Sequence, residues 1–157
     1  MKNKFIQIAN EFLLKQYNVE LSIPIIRNNR LRSTMGRYIY KKTNKPLRIE
    51  LAGFLLDYGA QSVIVDVLKH ECIHYALHLK RMPSRDGHPY FESELKKHNV
   101  SSTNEKLVGK VFVYRCSVCL LENMTKKKRV FQLPHLYRTS CCEASLKLVG
   151  EKIFTGL

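Results

Sequence analysis

The apolar positions change period along the chain, and each change marks an element. Residues 1–16 place Phe5, Ile6, Ile8, Ala9, Phe12 and Leu13 on one side of Asn3, Lys4, Gln7, Asn10 and Glu11, which predicts an amphipathic helix. Residues 21–27 (LSIPIIR) alternate weakly and contain Pro24, so they suit an edge or irregular strand. Residues 28–35 are a polar, arginine-bearing turn. Residues 36–42 (GRYIYKK) and 46–51 (PLRIEL) alternate around Thr43, Asn44 and Lys45, the pattern of a β-hairpin. Residues 60–80 lack both Pro and Gly, and Val63, Ile64, Val67, Leu68, Cys72, Tyr75, Ala76 and Leu79 recur at helical spacing. Ile73 and Leu77 widen that stripe, so the helix should be covered on most sides. A turn over 81–87 (RMPSRDG) leads to Pro89 at the first position of another helix, carrying Phe91 and Leu95 on one face. Residues 101–106 (SSTNEK) are polar and aperiodic, a linker. Short strands are expected beyond it at 110–115, 129–133, 136–139 and 146–149.

The long helix carries the chemistry. His70 and His74 stand four residues apart with Glu71 after the first, so both imidazoles share a face and can reach one Zn²⁺. Such a metal lowers the pKa of bound water towards about 7, and Glu71 would take its proton. Polar groups on so apolar a helix need a partner, which a metal supplies. His78 makes a second four-residue pair with His74, but no acid follows His74, and His70 and His78 lie roughly 12 Å apart along the axis. His88, fourteen residues after His74 at a helix mouth, is the favoured third ligand, with Glu92, Glu94 and His98 as rivals.

Charge adds a partner. The net charge of +14 divides into +8 over residues 1–50, zero over 51–104 and +6 over 105–157. Two basic segments flanking a neutral one fit a polyanion, and nucleic acid, DNA or RNA, is the common one. The densest run is Lys126, Lys127, Lys128 and Arg129, expected at a hairpin loop. Four of five cysteines fall within residues 116–142 without a secretory signal, which favours metal over disulfides. Cys116 with Cys119, and Cys141 with Cys142, close predicted strands as in a zinc ribbon. No run approaches the ~18 apolar residues of a membrane span, so a soluble cytoplasmic protein is expected.

Four motifs in order, RLRSTMGRY at 30–38, the H-E-x-x-H helix, D-G-H-x-x-F at 86–91 and Y-R-C-S-V-C at 114–119, resemble the SprT-like family of zinc metallopeptidases. The eukaryotic relative Spartan degrades proteins crosslinked to DNA. The resemblance implies an α+β fold: a zincin-like core over 1–104, its H-E-x-x-H helix packed on a small antiparallel-containing sheet, then a zinc-ribbon-like β module over 105–157. It also implies His70, His74 and His88 as ligands and Glu71 as catalytic base. One departure stands out. Where the family's ribbon closes with a second C-x-x-C, this chain has Thr139 opposite Cys116, while Cys142 matches Cys119. Either Cys141 or His135 supplies the missing ligand to a second zinc, or the module rests on packing of Val111, Val113, Phe131 and Leu133. The expected function is a zinc-dependent peptidase acting on proteins at or near nucleic acid. The rival is a non-catalytic nucleic-acid-binding protein with a structural zinc. Glu71 separates the two, since a purely structural site has no need of a carboxylate beside an open position. A deaminase fits less well, because its zinc cysteines would lie close to the histidine.

Overall fold

The computed structural model describes residues 2–101 and 107–156. Helix α1 (Lys2–Tyr17) precedes a three-stranded sheet of β1 (Ile25–Asn28), β2 (Gly36–Tyr40) and β3 (Pro46–Ala52). The spatial order is β1-β3-β2, with β1 parallel and β2 antiparallel to the central β3. Pro24 can donate nothing to a ladder, yet its carbonyl accepts the Ile49 N–H at 3.0 Å, so it opens an edge strand without breaking one. Asn44, at φ 60°, turns the expected β2–β3 hairpin.

Helices α2 (Gly53–Tyr58), α3 (Gln61–Leu79) and α4 (Pro89–Lys97) follow. The apolar stripe of α3 buries Val63, Leu68, Ile73 and Leu77 against α1 and the inner sheet face, which contributes Ile49 and Leu51. Each such side chain contributes about 1.5–3 kcal/mol by leaving water. Phe91 and Leu95 of α4 close this core from the other side of α3 and are fully buried. Strand alternation turns Ile26, Asn28, Arg37, Ile39, Arg48 and Glu50 to the opposite, outer face of the sheet. No pattern in the sequence predicts the short helix α2, because six residues are too few for a helical period to show.

A second sheet, order β5-β4-β6 and wholly antiparallel, comprises β4 (Val108–Cys116), β5 (Glu122–Thr125) and β6 (Leu146–Thr155). Two expected strands are not strands. Residues 129–133 fall largely in α5 (Lys128–Gln132), and the next stretch opens with a 3₁₀ turn, Pro134–Leu136. Five residues are ambiguous between periods; here the Leu133 N–H closes on the Arg129 carbonyl at 2.9 Å, while Val130 is buried and Phe131 packs on Phe112. Lys126, Lys127, Lys128 and Arg129 consequently follow β5 and enter α5, all exposed, and do not form a hairpin tip. The β4–β5 tip is instead the cysteine turn, where the Leu120 N–H reaches the Cys116 carbonyl and Leu120 takes φ 62°.

The two sheets meet around α2 and the start of α3. Val108 joins the first core, and the Thr155 carbonyl accepts the Ala60 N–H at 2.9 Å, the first free donor of that helix. Gly156, at φ 85°, passes so close that a Cβ would lie 2.8 Å from Val108 and 3.1 Å from Val63. Among the described residues no helix is long and apolar enough to cross a membrane.

Candidate metal centres

On α3 the His70 and His74 rings stand one turn apart, and their Nε2 atoms face each other at 3.1 Å. Their Nδ1 atoms are taken by loop carbonyls, Ser101 O at 2.9 Å for His70 and Ser84 O at 2.6 Å for His74. A carbonyl only accepts, so each Nδ1 carries the proton and both Nε2 lone pairs point inward. Asp86 adds a third acceptor, its Oδ1 at 3.1 Å from His70 Nε2 and 3.3 Å from His74 Nε2. With both rings neutral these are three convergent acceptors, a set satisfied either by a proton shared between a ring and the carboxylate or by a bound cation. Two imidazole nitrogens and one carboxylate oxygen, all within 4.8 Å of one another, are a ligand set that suits Zn²⁺ with a coordination position left open.

The surroundings fix this arrangement. His74 stacks on the buried Phe91 ring at 4.1 Å, and His70 meets the same ring edge-on at 5.3 Å. Asp66, four residues before His70 on α3, accepts from the Ser101 hydroxyl at 2.7 Å and so holds the carbonyl that orients His70. Bonds from His70 and then His74 hold the Asp86 carboxyl well below the usual range. Burial disfavours a charged His70, but Asp86 and Glu71 outweigh it and raise that ring's pKa.

Glu71 is 5 % exposed and lies beneath the same cleft, a cavity of about 640 Å³ between α3, β2 and the 84–86 turn. Burial pushes its carboxyl up, against the two imidazoles and the Tyr38 N–H, which favour the charged form. Gly36 makes room for it: a Cβ there would lie 2.9 Å from Glu71 Oε1 and 2.8 Å from Val67. Gly36, Asp66, Ser84, Asp86 and Ser101 carry no sequence signal of this role, since each acts through a meeting of distant segments; only the turn character of 81–87 hints that something is delivered there.

The structure does not bring His88 into the group. It caps α4, its exposed ring accepting the Tyr90 N–H at Nδ1 over 3.2 Å. The rivals lie elsewhere. Glu92 accepts the Gly87 N–H, and Glu94 is buried with Tyr17 and His98. His78 donates from Nε2 to the Asn44 carbonyl at 2.8 Å and packs edge-on against Tyr40.

A second cluster gathers Cys116, Cys119, Cys141 and Cys142, with all four Sγ atoms within 4.8 Å of one another and Cys119 and Cys141 at 3.4 Å. Tetrahedral zinc with Zn–S near 2.3 Å needs sulfurs about 3.8 Å apart, so the set fits. His135 is not among these ligands. Thr139, 2 % exposed, sits behind the cluster, its hydroxyl donating to Cys116 Sγ at 3.4 Å while accepting the Ala144 N–H at 3.2 Å. The Thr139 hydroxyl and the Cys119 and Val118 N–H groups lower the Cys116 thiol to about 6. The neighbouring Cys119 thiol and burial push Cys142 up to about 12.

Fold and sites together define a mixed α+β protein of small sheets, with a His/Asp group on its long helix and a cysteine cluster near its C-terminus, both able to hold a transition metal. The sequence pattern of the SprT-like family matches residues 2–111, and the chain belongs to that family. It is 28% identical over 127 residues to a "Protein SprT-like" of Bacillus cereus, covering 78% of this chain and 81% of that one. A "Protein SprT-like" of Staphylococcus saprophyticus is 30% identical over 132 residues, 76% of this chain and 79% of that one.

Proposed function

We propose that the protein is a zinc-dependent peptidase of the zincin type that cleaves proteins at or near nucleic acid in the cytoplasm. The observation that carries the reading is Glu71: a buried carboxylate one residue from a ligand, inside the metal cleft, which a structural zinc has no use for. His70 and His74 would hold the ion, with a third protein ligand from the turn that carries Asp86 and His88. Asp86 already meets both imidazoles, and His88, which the family resemblance implies, would have to release the Tyr90 N–H to join them. A zinc ion held there would supply Lewis acidity for a scissile carbonyl and for a water.

The chain's own residues do the rest. Glu71 would take a proton from a water in the cleft and then, as the protonated acid that its burial favours, pass that proton to the leaving amine. Gly36 keeps the carboxylate unobstructed. Among the described residues strand β2 pairs with β3 on one side, which leaves its other edge for an extended peptide laid across the cleft. Cys116, Cys119, Cys141 and Cys142 would hold a second, structural zinc.

Glu71→Gln tests this. It keeps volume and ligands, so zinc content and folding should persist while hydrolysis of a loosely folded, DNA-bound protein falls about 10²–10⁴-fold. Undiminished hydrolysis would defeat the mechanism. Zinc-loaded wild type without hydrolysis on any such substrate would favour a binding protein instead.

A further inference from the structure

Between Glu20 and Glu50 the chain carries eight Lys and Arg and no Asp or Glu. The fold draws this stretch into one surface. Arg30 and Arg32 lie in the β1–β2 connection, Lys41, Lys42 and Lys45 in the β2–β3 turn, and all five are exposed. No ion pair engages them among the described residues. Arg27 is set apart, neutralised by Asp57 at 2.6 Å.

The centre of the surface is the outer face of the first sheet. Glu50 is 1 % exposed there, and its two carboxylate oxygens accept the Nε–H of Arg37 and of Arg48, each at 2.7 Å, with Asn28 adding a third bond at 2.6 Å. Each guanidinium is bound through Nε, which leaves its Nη fork to solvent while the stem is fixed. Two forks held this way lose little freedom on binding, and Arg forks match phosphate oxygens. Since β1 and β3 run parallel and β2 returns antiparallel, the Arg30/Arg32 connection and the lysine turn sit at opposite ends of the face. Seven residues of β3 span roughly 23 Å, so basic groups stand at both ends and the middle of a strip about as long as six or seven nucleotide steps.

We infer that this outer face of the β1-β3-β2 sheet, with the turns at its two ends, is the surface that binds the phosphate backbone of a nucleic acid. The inference rests on the nucleic-acid reading above and assigns it a place away from the Lys126 to Arg129 run. A linear spread of charge with fixed forks suits a linear polyanion. A membrane would ask for protruding apolar anchors, and this face offers only the half-buried Ile26 and Ile39. The geometry also explains how both ligands fit at once. The inner face of β2 lies against α3, where Gly36 touches Glu71, so a nucleic acid on the outer face leaves the cleft open. A protein attached to that nucleic acid would meet the free β2 edge, one strand from the catalytic carboxylate.

The test is the salt dependence of binding of the full zinc-loaded chain to a fluorescent 12-base-pair duplex and to a 12-nucleotide single strand. The variants are Arg30→Gln/Arg32→Gln, Arg37→Gln/Arg48→Gln, Lys41→Gln/Lys42→Gln/Lys45→Gln and, as contrast, Lys126→Gln/Lys127→Gln/Lys128→Gln/Arg129→Gln. Every phosphate that a variant leaves unneutralised should reduce the slope of log K against log salt by about 0.7–0.9. The three sheet variants should lower the slope by the equivalent of about 2, 2 and 3 phosphates, and the contrast by less than one. The turn variants change exposed residues only, so they keep the test decisive if Arg37→Gln/Arg48→Gln fails to fold. A reduction confined to the Lys126 to Arg129 variant would overturn the placement while sparing the nucleic-acid reading. Salt-insensitive or absent binding by wild type would overturn both. Equal binding to vesicles of anionic phospholipid would overturn the choice of ligand.

Discussion

Glu50 and Asp86 are both carboxylates held below their ordinary range, but for different reasons. Burial alone would push Glu50 up; the bonds from Asn28, Arg37 and Arg48 outweigh it and bring its pKa to about 2. A group whose folded pKa is depressed contributes stability above its unfolded pKa and loses it as pH falls through the folded value. The Glu50 contribution, about 1–3 kcal/mol, should therefore be complete above pH ~4.5 and vanish towards pH 2. Urea midpoints at pH 5 and pH 3 for wild type and Glu50→Gln check this: the gap between the two proteins should be wide at pH 5 and narrow at pH 3. A gap independent of pH would mean that the carboxylate's charge contributes nothing. Asp86 owes its low pKa to two imidazoles that a metal would engage, so its variant reads out differently. Asp86→Ala and His88→Ala, measured side by side for zinc affinity, should show at least tenfold weakening in one of them, the larger at Asp86 if the present geometry persists on binding. His78→Ala should retain zinc. Weakening at His78 alone, or at none of the three, would remove the ligand from this turn.

Among the elements, the cysteine turn shows how a departure from a motif is absorbed. Thr139 occupies the position at which a cysteine would face Cys116, and its hydroxyl still reaches that sulfur, while Cys141 brings its own sulfur to 3.4 Å from Cys119. A cysteine sulfur and a hydrogen-bonding hydroxyl have thus changed places along the chain. Thr139→Val should keep a second zinc but weaken it about 10–100-fold, because it removes a bond to a ligand and leaves the Ala144 N–H without its acceptor. Cys141→Ser should abolish that zinc, and His135→Ala should not touch it. Zinc content together with alkylation of free thiols gives the answer: a wild type with one zinc and four reactive cysteines in this cluster would refute the site. Of the four strands expected in this part, the first and last are legible because Val111, Val113 and Leu146, Leu148 alternate over a real ladder. The bulge between Val113 and Tyr114 hides how far β6 extends, since it shifts the register opposite Gly150.

Across the molecule as a whole, the two sheets share a hydrophobic core through Val108 and the Thr155 bond to the start of α3. Val108 is 1 % exposed, so Val108→Ala should cost about 2 kcal/mol. The shared core predicts one cooperative thermal transition in which the variant lowers the midpoint of both halves. Two separated transitions, with only one half shifted, would show that the sheets unfold independently.

Short-range pattern alone is enough to specify the helix that carries His70, Glu71 and His74, because a four-residue spacing and a 21-residue stretch free of Pro and Gly depend on nothing outside it. The β2–β3 hairpin and the start of α4 at Pro89 are specified in the same local way, whereas Cys119 and Cys141, 22 residues apart, meet only when the chain packs. Which acid meets the imidazoles is settled only by packing. Asp86 and His88 are two residues apart in one turn, and which of them points inward depends on how that turn lies on α3 and Phe91. Packing likewise assigns the roles of Ser84 and Ser101, whose carbonyls set the tautomers of rings 10 and 31 residues away, and of Gly36, whose missing Cβ matters only because Glu71 lies against it. Local periodicity fixes which face of an element is apolar, but a backbone carbonyl or an absent side chain leaves no periodic trace, and its partner is chosen only when distant segments pack.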